Sequence, residues 1–437
     1  MAPNVRLLLA LLDLAPDMER LLGVPWIPLR DELLVLTGRL EQEGDSRALG
    51  DALNDVIQRL LNSGSPEAAA AVRGAVKAAR PATPARNAVR GPSRARPVTP
   101  PAEPTTPEAV GSVVIPVFYG TDRSPTDDPD PRKRFGGGRG SLAFGVARVS
   151  VPVDKKVGEL PGPSWWKLEF RDDPAKHVIL VDVSTLPRDA FVSELRGSMA
   201  TANENDALVF VHGYNCGFAD AARRAAQIAF DLRFPGRTLL FSWASAGEPH
   251  KYTVDESTVE WSGPHFEAFL HLALTEIGAR AVHVIAHSMG NRAVLRALER
   301  FDASMLPPGA ATLRQIILAA PDVDSDTFRQ LADAFKGRAQ RVTLYASSRD
   351  LALKASKAVH GYPRAGDAGK TLVVVDGVDT VDASKVDTSL LGLHHSYFGS
   401  TRSILSDMFH VITQGQSPDL RFDLEAAPAG KHWLYRE

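Results

Sequence analysis

Beyond Val113 the apolar residues fall in short, nearly unbroken runs: Val113–Tyr119, Leu142–Ala147, Ala207–His212, Thr238–Trp243, Val282–His287, Gln315–Ala320, Arg341–Tyr345 and Thr371–Asp376. Runs of this length without a polar face are strands covered on both sides, as in a parallel sheet. Between them, residues 219–232, 265–277 and 293–300 carry the spacing of amphipathic helices. The alternation predicts a doubly wound, mostly parallel α/β domain over 111–437, with functional groups beyond the carboxyl ends of its strands. A turn is expected at Gly136-Gly137-Gly138. No Gly-Lys-Ser/Thr follows it, so it is not a phosphate loop.

The first part of the chain is patterned differently. Leu33-Leu34-Leu36-Leu40 and Leu49-Leu53-Val56-Ile57-Leu60-Leu61 follow helical spacing, broken at Gly23, Pro25, Pro28, Gly44 and Gly64. A small all-α bundle over 1–78 is expected, offering a surface for a protein partner. Residues 79–110 form a linker: between Ala79 and Pro107 stand eight prolines, and five arginines face one acid, Glu103. Prolines at that density remove backbone donors and forbid helix.

Composition narrows the function classes. Fifty Lys and Arg against 52 Asp and Glu leave a net charge of -2 over 437 residues, which offers no electrostatic footprint for nucleic acid. The single cysteine, Cys216, excludes internal disulfides and a Cys-rich zinc cage. Arg6 precedes the run Leu7–Leu12, but Asp13 and Pro16-Asp17-Met18-Glu19 argue against a cleaved signal. No stretch reaches the ~20 apolar residues of a membrane span. A cytoplasmic protein is expected, with no cofactor and no metal. Asp322-x-Asp324-x-Asp326 opens like a calcium loop, yet Thr327 stands where the sharp-turn glycine belongs and Asp333 where the bidentate Glu belongs.

The sharpest chemical signal is Val284-Ile285-Ala286-His287-Ser288-Met289-Gly290-Asn291-Arg292. An expected strand runs into a small residue, His, Ser, Met and Gly, and then into an expected helix. This is the pattern of a nucleophile elbow, Gly-x-Ser-x-Gly with Ala286 at the first position, whose sharp turn thrusts out the serine hydroxyl. A serine nucleophile needs a base and an orienting acid, in the chain order Ser, acid, His. Of the later histidines, His360 precedes the last expected strand, His410 lies on an expected apolar helix where its neighbours would bury it, and His432 is in the tail. His394 and His395 follow that strand, and His395 is preferred as base. Asp350, a few residues past the penultimate strand, is the expected acid, with Asp322 the alternative. The oxyanion donors are expected to be the N–H groups of Met289 and of Tyr214, the latter in the loop Val211-His-Gly-Tyr-Asn-Cys-Gly217. Cys216 in that loop reads as a packed side chain. Trp243 and His287 are expected to line the substrate pocket, and residues Tyr252 through Asp255 are further candidates. Trp165-Trp166 reads as packing or a lid contact.

Several separate motifs carry a resemblance: Phe118-Tyr-Gly-Thr-Asp-Arg123, Val211-His-Gly-Tyr-Asn215, Phe241-Ser-Trp-Ala-Ser245, His287-Ser-Met-Gly-Asn-Arg292, Ala320-Pro-Asp-Val-Asp324, Tyr345-Ala-Ser-Ser-Arg-Asp350 and His395-Ser-Tyr-Phe398. From about Val113 onward the chain resembles a bacterial group of α/β-hydrolases of unassigned function, esterase- and lipase-like. The resemblance implies an α/β-hydrolase fold and a Ser288–Asp350–His395 triad, and its His-Ser-Tyr-Phe pattern favours His395 over His394. It implies no particular substrate. The front helices and linker lie outside it; a helical module on a proline-rich tether is similar to adaptors that dock enzymes into larger bacterial assemblies.

Two functions follow as expectations. One is a serine hydrolase acting on a small-molecule carboxylic ester or related acyl substrate. The other is a non-catalytic scaffold or binding protein that keeps the hydrolase fold and works through residues 1–78.

Overall fold

The computed structural model describes residues 111–155, 176–248, 251–350, 353, 356, 357, 360–386, 401–428 and 430–436, together with Leu36, Ala52, Leu53, Val56 and Ile57. The expected 1–78 bundle and 79–110 linker otherwise lie outside the described residues, as do Trp165, Trp166, His394 and His395.

The described strands form one sheet: β1 (Ser112–Pro125), β2 (Phe135–Pro152), β3 (Ile179–Leu186), β4 (Asp206–Val211), β5 (Arg237–Ser242), β6 (Ala281–His287), β7 (Thr312–Ala319), β8 (Arg341–Ala346), β9 (Asp379–Asp382), β10 (Leu424–Ala426) and β11 (Trp433–Tyr435). Their spatial order is β10-β11-β9-β8-β7-β6-β4-β5-β1-β2-β3. Eight of them, from β11 through β1, pair in parallel. β2 and β3 extend one side antiparallel and β10 extends the other.

Helices cover both faces, which is why the strands lack a polar side. α1 (Arg188–Ala200), α3 (Tyr252–Thr275), α4 (Gly290–Arg300) and α5 (Ser325–Phe335) pack on one face, against residues such as Val209, Val284 and Leu318. α2 (Phe218–Asp231) and α6 (Thr401–Gln414) pack on the other, against Leu208, Phe210, Ile285 and Ile317. The alternation along β4 is direct: Val209 points to one layer while Leu208 and Phe210 point to the other. Because β1, β4, β5, β6, β7, β8 and β9 run the same way, their carboxyl ends lie along one edge of the sheet.

The sheet departs from the sequence reading in four places. Gly136-Gly137-Gly138 is not a turn but the start of β2, drawn out by pairing with β1. The run Thr371–Asp376 is not a strand. Val373 turns into the core, where its carbonyl accepts from the Thr380 hydroxyl at 2.9 Å, and β9 forms only after Gly377, whose φ of +83° reverses the chain. An apolar run shows that a segment is buried, not that it pairs. β3, β10 and β11 have no counterpart in the sequence reading; β10 and β11 are three residues each, too short to leave a periodic signal. His410 is on α6 as expected but only half-buried, with Nδ1 paired to Gln414 at 2.9 Å.

The C-terminal strands are locked on by a buried ion pair. Arg421 Nη1 donates to Asp407 Oδ2 at 3.1 Å, and neither side chain is exposed to solvent. The Tyr345 hydroxyl donates to the same carboxylate. Removing one partner of such a pair strands the other charge in low dielectric, at about 3–5 kcal/mol. Arg421→Met is expected to lose about that much unfolding free energy in urea denaturation, and Arg421→Met with Asp407→Leu to regain most of it. Equal stability of the single and double variants would contradict the ion-pair reading.

Candidate active site

The carboxyl end of β6 runs into α4 through Ser288, which sits at φ +49°. A side chain in left-handed backbone costs about 1–2 kcal/mol, so surrounding bonds must hold it. Four do. The Ser288 N–H donates to Ala319 O at 2.9 Å, while its carbonyl accepts from the Asp322 N–H at 3.2 Å, the Asn291 N–H at 3.2 Å and Asn291 Nδ2 at 2.8 Å. Asn291 Nδ2 also reaches Ala319 O at 3.2 Å, so β6, β7 and α4 meet at this residue. Ser288 is 5% exposed. Met289 leads directly into α4 as its cap, its carbonyl accepting the Arg292 N–H at 3.0 Å.

The loop after β4 closes against this turn because two glycines permit it. A Cβ on Gly213 would stand 2.9 Å from His287 Nδ1 and 3.0 Å from Ser288 Cβ. A Cβ on Gly290 would collide with His212 O and with Val211. Tyr214 follows Gly213, its ring edge-on to Tyr252 with centroids 5.3 Å apart. Cys216 is buried in the same loop, and burial pushes its thiol up to about 12. It is therefore a packed thiol rather than a thiolate nucleophile.

The structure accounts for several expected site residues in detail. Trp243 is wholly buried. It stacks on His212 with centroids 5.1 Å apart and donates Nε1–H to His212 O at 2.8 Å, so its ring supports the β4 loop instead of facing solvent. His212 is held neutral: Arg123 Nη2 can only donate, so His212 Nε2 accepts (3.3 Å) and Nδ1–H donates to Gly213 O (2.7 Å). Burial, and then the Arg123 charge, lower its pKa well below the usual histidine value. His287 is likewise pushed down to about 3 by burial and the Arg224 charge.

Of the two candidate acids, Asp350 is half-buried past β8 and its Oδ1 accepts the Leu353 N–H at 3.0 Å, a helix-capping contact. Asp322, past β7, is 1% exposed. Its carboxylate accepts from the Tyr252 and Ser356 hydroxyls and lies 3.4 Å from Arg364 Nε. The Arg292 Nε donates to its carbonyl at 2.8 Å. Asp322 is thus bound on several sides beside the Ser288 turn. Asp324 caps α5 by accepting from the Asp326 and Thr327 N–H groups. Among the described residues no group of three or more His, Cys, Asp or Glu side chains is arranged to hold a metal ion. No described helix is long and apolar enough to cross a membrane.

The described histidines near this edge are committed elsewhere. His360 faces acceptors with both nitrogens, Ser356 O at 2.8 Å and Glu256 Oε1 at 2.9 Å. His265 pairs through Nδ1 with buried Asp122 at the end of β1, three strands from β6 and so about 14 Å away along the sheet. The expected base, His395, follows β9 in the chain but lies outside the described residues.

From the sequence, Asp255 is expected only as one of the residues that could line the pocket, and Arg123 only as the last residue of a shared motif; neither is expected to hold the β4 loop. Asp255 is buried in the first turn of α3, and Arg123, at the end of β1, is 1% exposed. Both reach the β4 loop. Arg123 lies beyond the expected strand Val113–Tyr119 and falls inside β1 only because that strand runs on to Pro125, so nothing local marked it as a buried guanidinium in need of acceptors.

Residues 188–414 match a family described as alpha/beta hydrolase of unknown function (DUF900). No curated protein matches the chain.

Close approach at Gly290 sets a quantitative expectation. Gly290→Ala drives a methyl into the His212 carbonyl and should cost about 1–3 kcal/mol of stability, the usual range for overpacking. Chemical denaturation measures it, and a loss below about 0.5 kcal/mol would contradict the described contact of α4 with β4.

Proposed function

The chain belongs to that family of alpha/beta hydrolases, and from the surroundings of Ser288 we propose that it is a serine hydrolase cleaving a carboxylic ester or related acyl compound. The observation that carries the reading is Ser288 itself. A non-glycine residue at φ +49°, held by bonds from two neighbouring elements and faced by Gly213, is strain kept where a reacting hydroxyl is needed.

The roles are as follows. Ser288 Oγ attacks the acyl carbon while its proton passes to His395. The oxyanion is held by the N–H groups of Met289 and Tyr214. The intermediate collapses, the leaving alcohol takes the proton from His395, and the acyl group remains on Ser288. Water then repeats the sequence and releases the acid. Asp350 orients the base. Its position past β8 supports this, since β8 lies between β7 and β9 on the edge that carries Ser288. Asp322 is the alternative acid, and its commitment to Tyr252, Ser356 and Arg364 weighs against it.

Fluorophosphonate labelling followed by peptide mapping tests the nucleophile, with nitrophenyl esters of graded chain length as substrates. Labelling at Ser288, lost together with turnover in Ser288→Ala, is the expected result; a folded protein that resists the probe would refute the proposal. Asp350→Asn should lower kcat by a factor on the order of 10⁴ while stability holds, the size of effect seen when a triad acid is neutralised. Asp322→Asn should instead lower stability first.

The pH profile has a defined sign. The base must be neutral to accept a proton, so kcat/KM should fall as pH drops through about 6.5, the ordinary imidazole value. His287 and His212 cannot supply this limb, because burial keeps them neutral far below it. The limb should survive His287→Gln.

A further inference from the structure

We propose that Asp255 and Arg123 are positioning residues that hold the β4 loop in the shape required of an oxyanion donor; the inference rests on Ser288 being the nucleophile. The loop must bend sharply after Tyr214, and Asn215 takes φ +52° to do so. Such a conformation persists only when bonds to firmer elements enforce it.

Those bonds come from two directions. Asp255 Oδ2 accepts the Asn215 N–H at 3.1 Å and the Ser245 hydroxyl at 2.5 Å, while Oδ1 accepts the Ala246 N–H at 2.7 Å. The Ser245 Oγ in turn accepts the Cys216 N–H at 3.1 Å. From β1, Arg123 Nη2 donates to Cys216 O at 2.5 Å and Nη1 to Ser245 O at 2.8 Å, while Nε donates to Ser242 Oγ at 2.9 Å. Consecutive backbone groups of the loop, Asn215 N–H, Cys216 N–H and Cys216 O, are therefore each pinned. The neighbouring Gly213–Tyr214 peptide lies where Gly213 touches Ser288 and His287.

The chemistry indicates a purpose beyond packing. Asp255 and Ser245 are wholly buried and Arg123 is 1% exposed. Burial pushes the Asp255 carboxyl up and the Arg123 guanidinium down; hydrogen bonds from Ser245, Ala246 and Asn215 oppose the first, and nearby negative groups, Asp255 among them, oppose the second. The two charges make no ion pair with each other; they spend their bonding capacity on loop backbone and on the hydroxyls and carbonyls beside it. Charged groups buried without a direct partner are a costly way to fill a core. They are an effective way to fix a peptide dipole, because a donor that need not reorganise stabilises developing charge most.

The test uses the full-length protein. Ser245→Ala removes one hydroxyl bridge without changing charge, Asp255→Asn neutralises the acceptor, and Arg123→Lys keeps the charge but loses the fork. Nitrophenyl ester turnover, the rate of fluorophosphonate labelling at Ser288 and thermal unfolding are measured for each. Expected for Ser245→Ala is a roughly tenfold loss in kcat and in labelling rate, with KM within about twofold and unfolding little changed. Asp255→Asn should lose on the order of 10²–10³, the cost of removing an oxyanion donor. A purely structural role would move stability and leave kcat per folded molecule unchanged. Folded Ser245→Ala with wild-type kcat, or variants in which KM changes instead, would overturn the inference. Wild type that neither labels nor turns over ester would overturn the nucleophile reading and this one with it; a labelled wild type with unaltered variants sinks only this one.

Discussion

The strained turn at Ser288 depends on parallel pairing of β6 between β4 and β7. Only with β7 alongside does Ala319 O stand where the Ser288 N–H can donate, and only with α4 turned back does Asn291 reach the same carbonyls. Only with β4 on the other side does Gly213 meet Ser288. Parallel strands bring their carboxyl ends to one edge, so the groups around this residue come from segments far apart in sequence.

A second layer of bonding stiffens that edge. Arg123 and Asp255 bind the β4 and β5 loops, while Tyr252, Ser356 and Arg364 surround Asp322 beside the Ser288 turn. These groups lie in an interior where an unsatisfied charge is expensive and a satisfied one is rigid. Neutral His212 belongs to the same network, since the Arg123 guanidinium dictates its tautomer. The residues matched to the hydrolase family begin at Arg188, so Arg123 reaches the loop from outside the matched segment.

Legibility followed the strength of local signals. β4, β5, β6, β7 and β8 were readable because each is a compact apolar run, with helix patterns standing between β4 and β5, β5 and β6, and β6 and β7. Thr371–Asp376 carried the same signal and failed, because Val373 is buried in a loop and pairing begins only after Gly377. The Ser288 turn was readable because small residues around it are required by contacts in the immediate strand and helix. Trp243 was read as a pocket wall and proves to be buried against His212: a large aromatic after a strand looks the same in sequence whichever side it faces.

The sequence by itself determined the alternation of buried strands and helices, hence the doubly wound class, and it marked Ser288 through the spacing of its small neighbours. Those properties are local: burial on two faces and a tight strand-to-helix turn each demand particular residue types within a few positions. Only the tertiary structure decided that Arg123 and Asp255 converge on the β4 loop, that both nitrogens of His360 are occupied, and that Asp322 is enclosed by Tyr252, Ser356 and Arg364. Apart from the local contact of His360 with Ser356, such pairings join residues 34 to 104 positions apart, and nothing in the spacing along the chain encodes which buried donor will meet which acceptor.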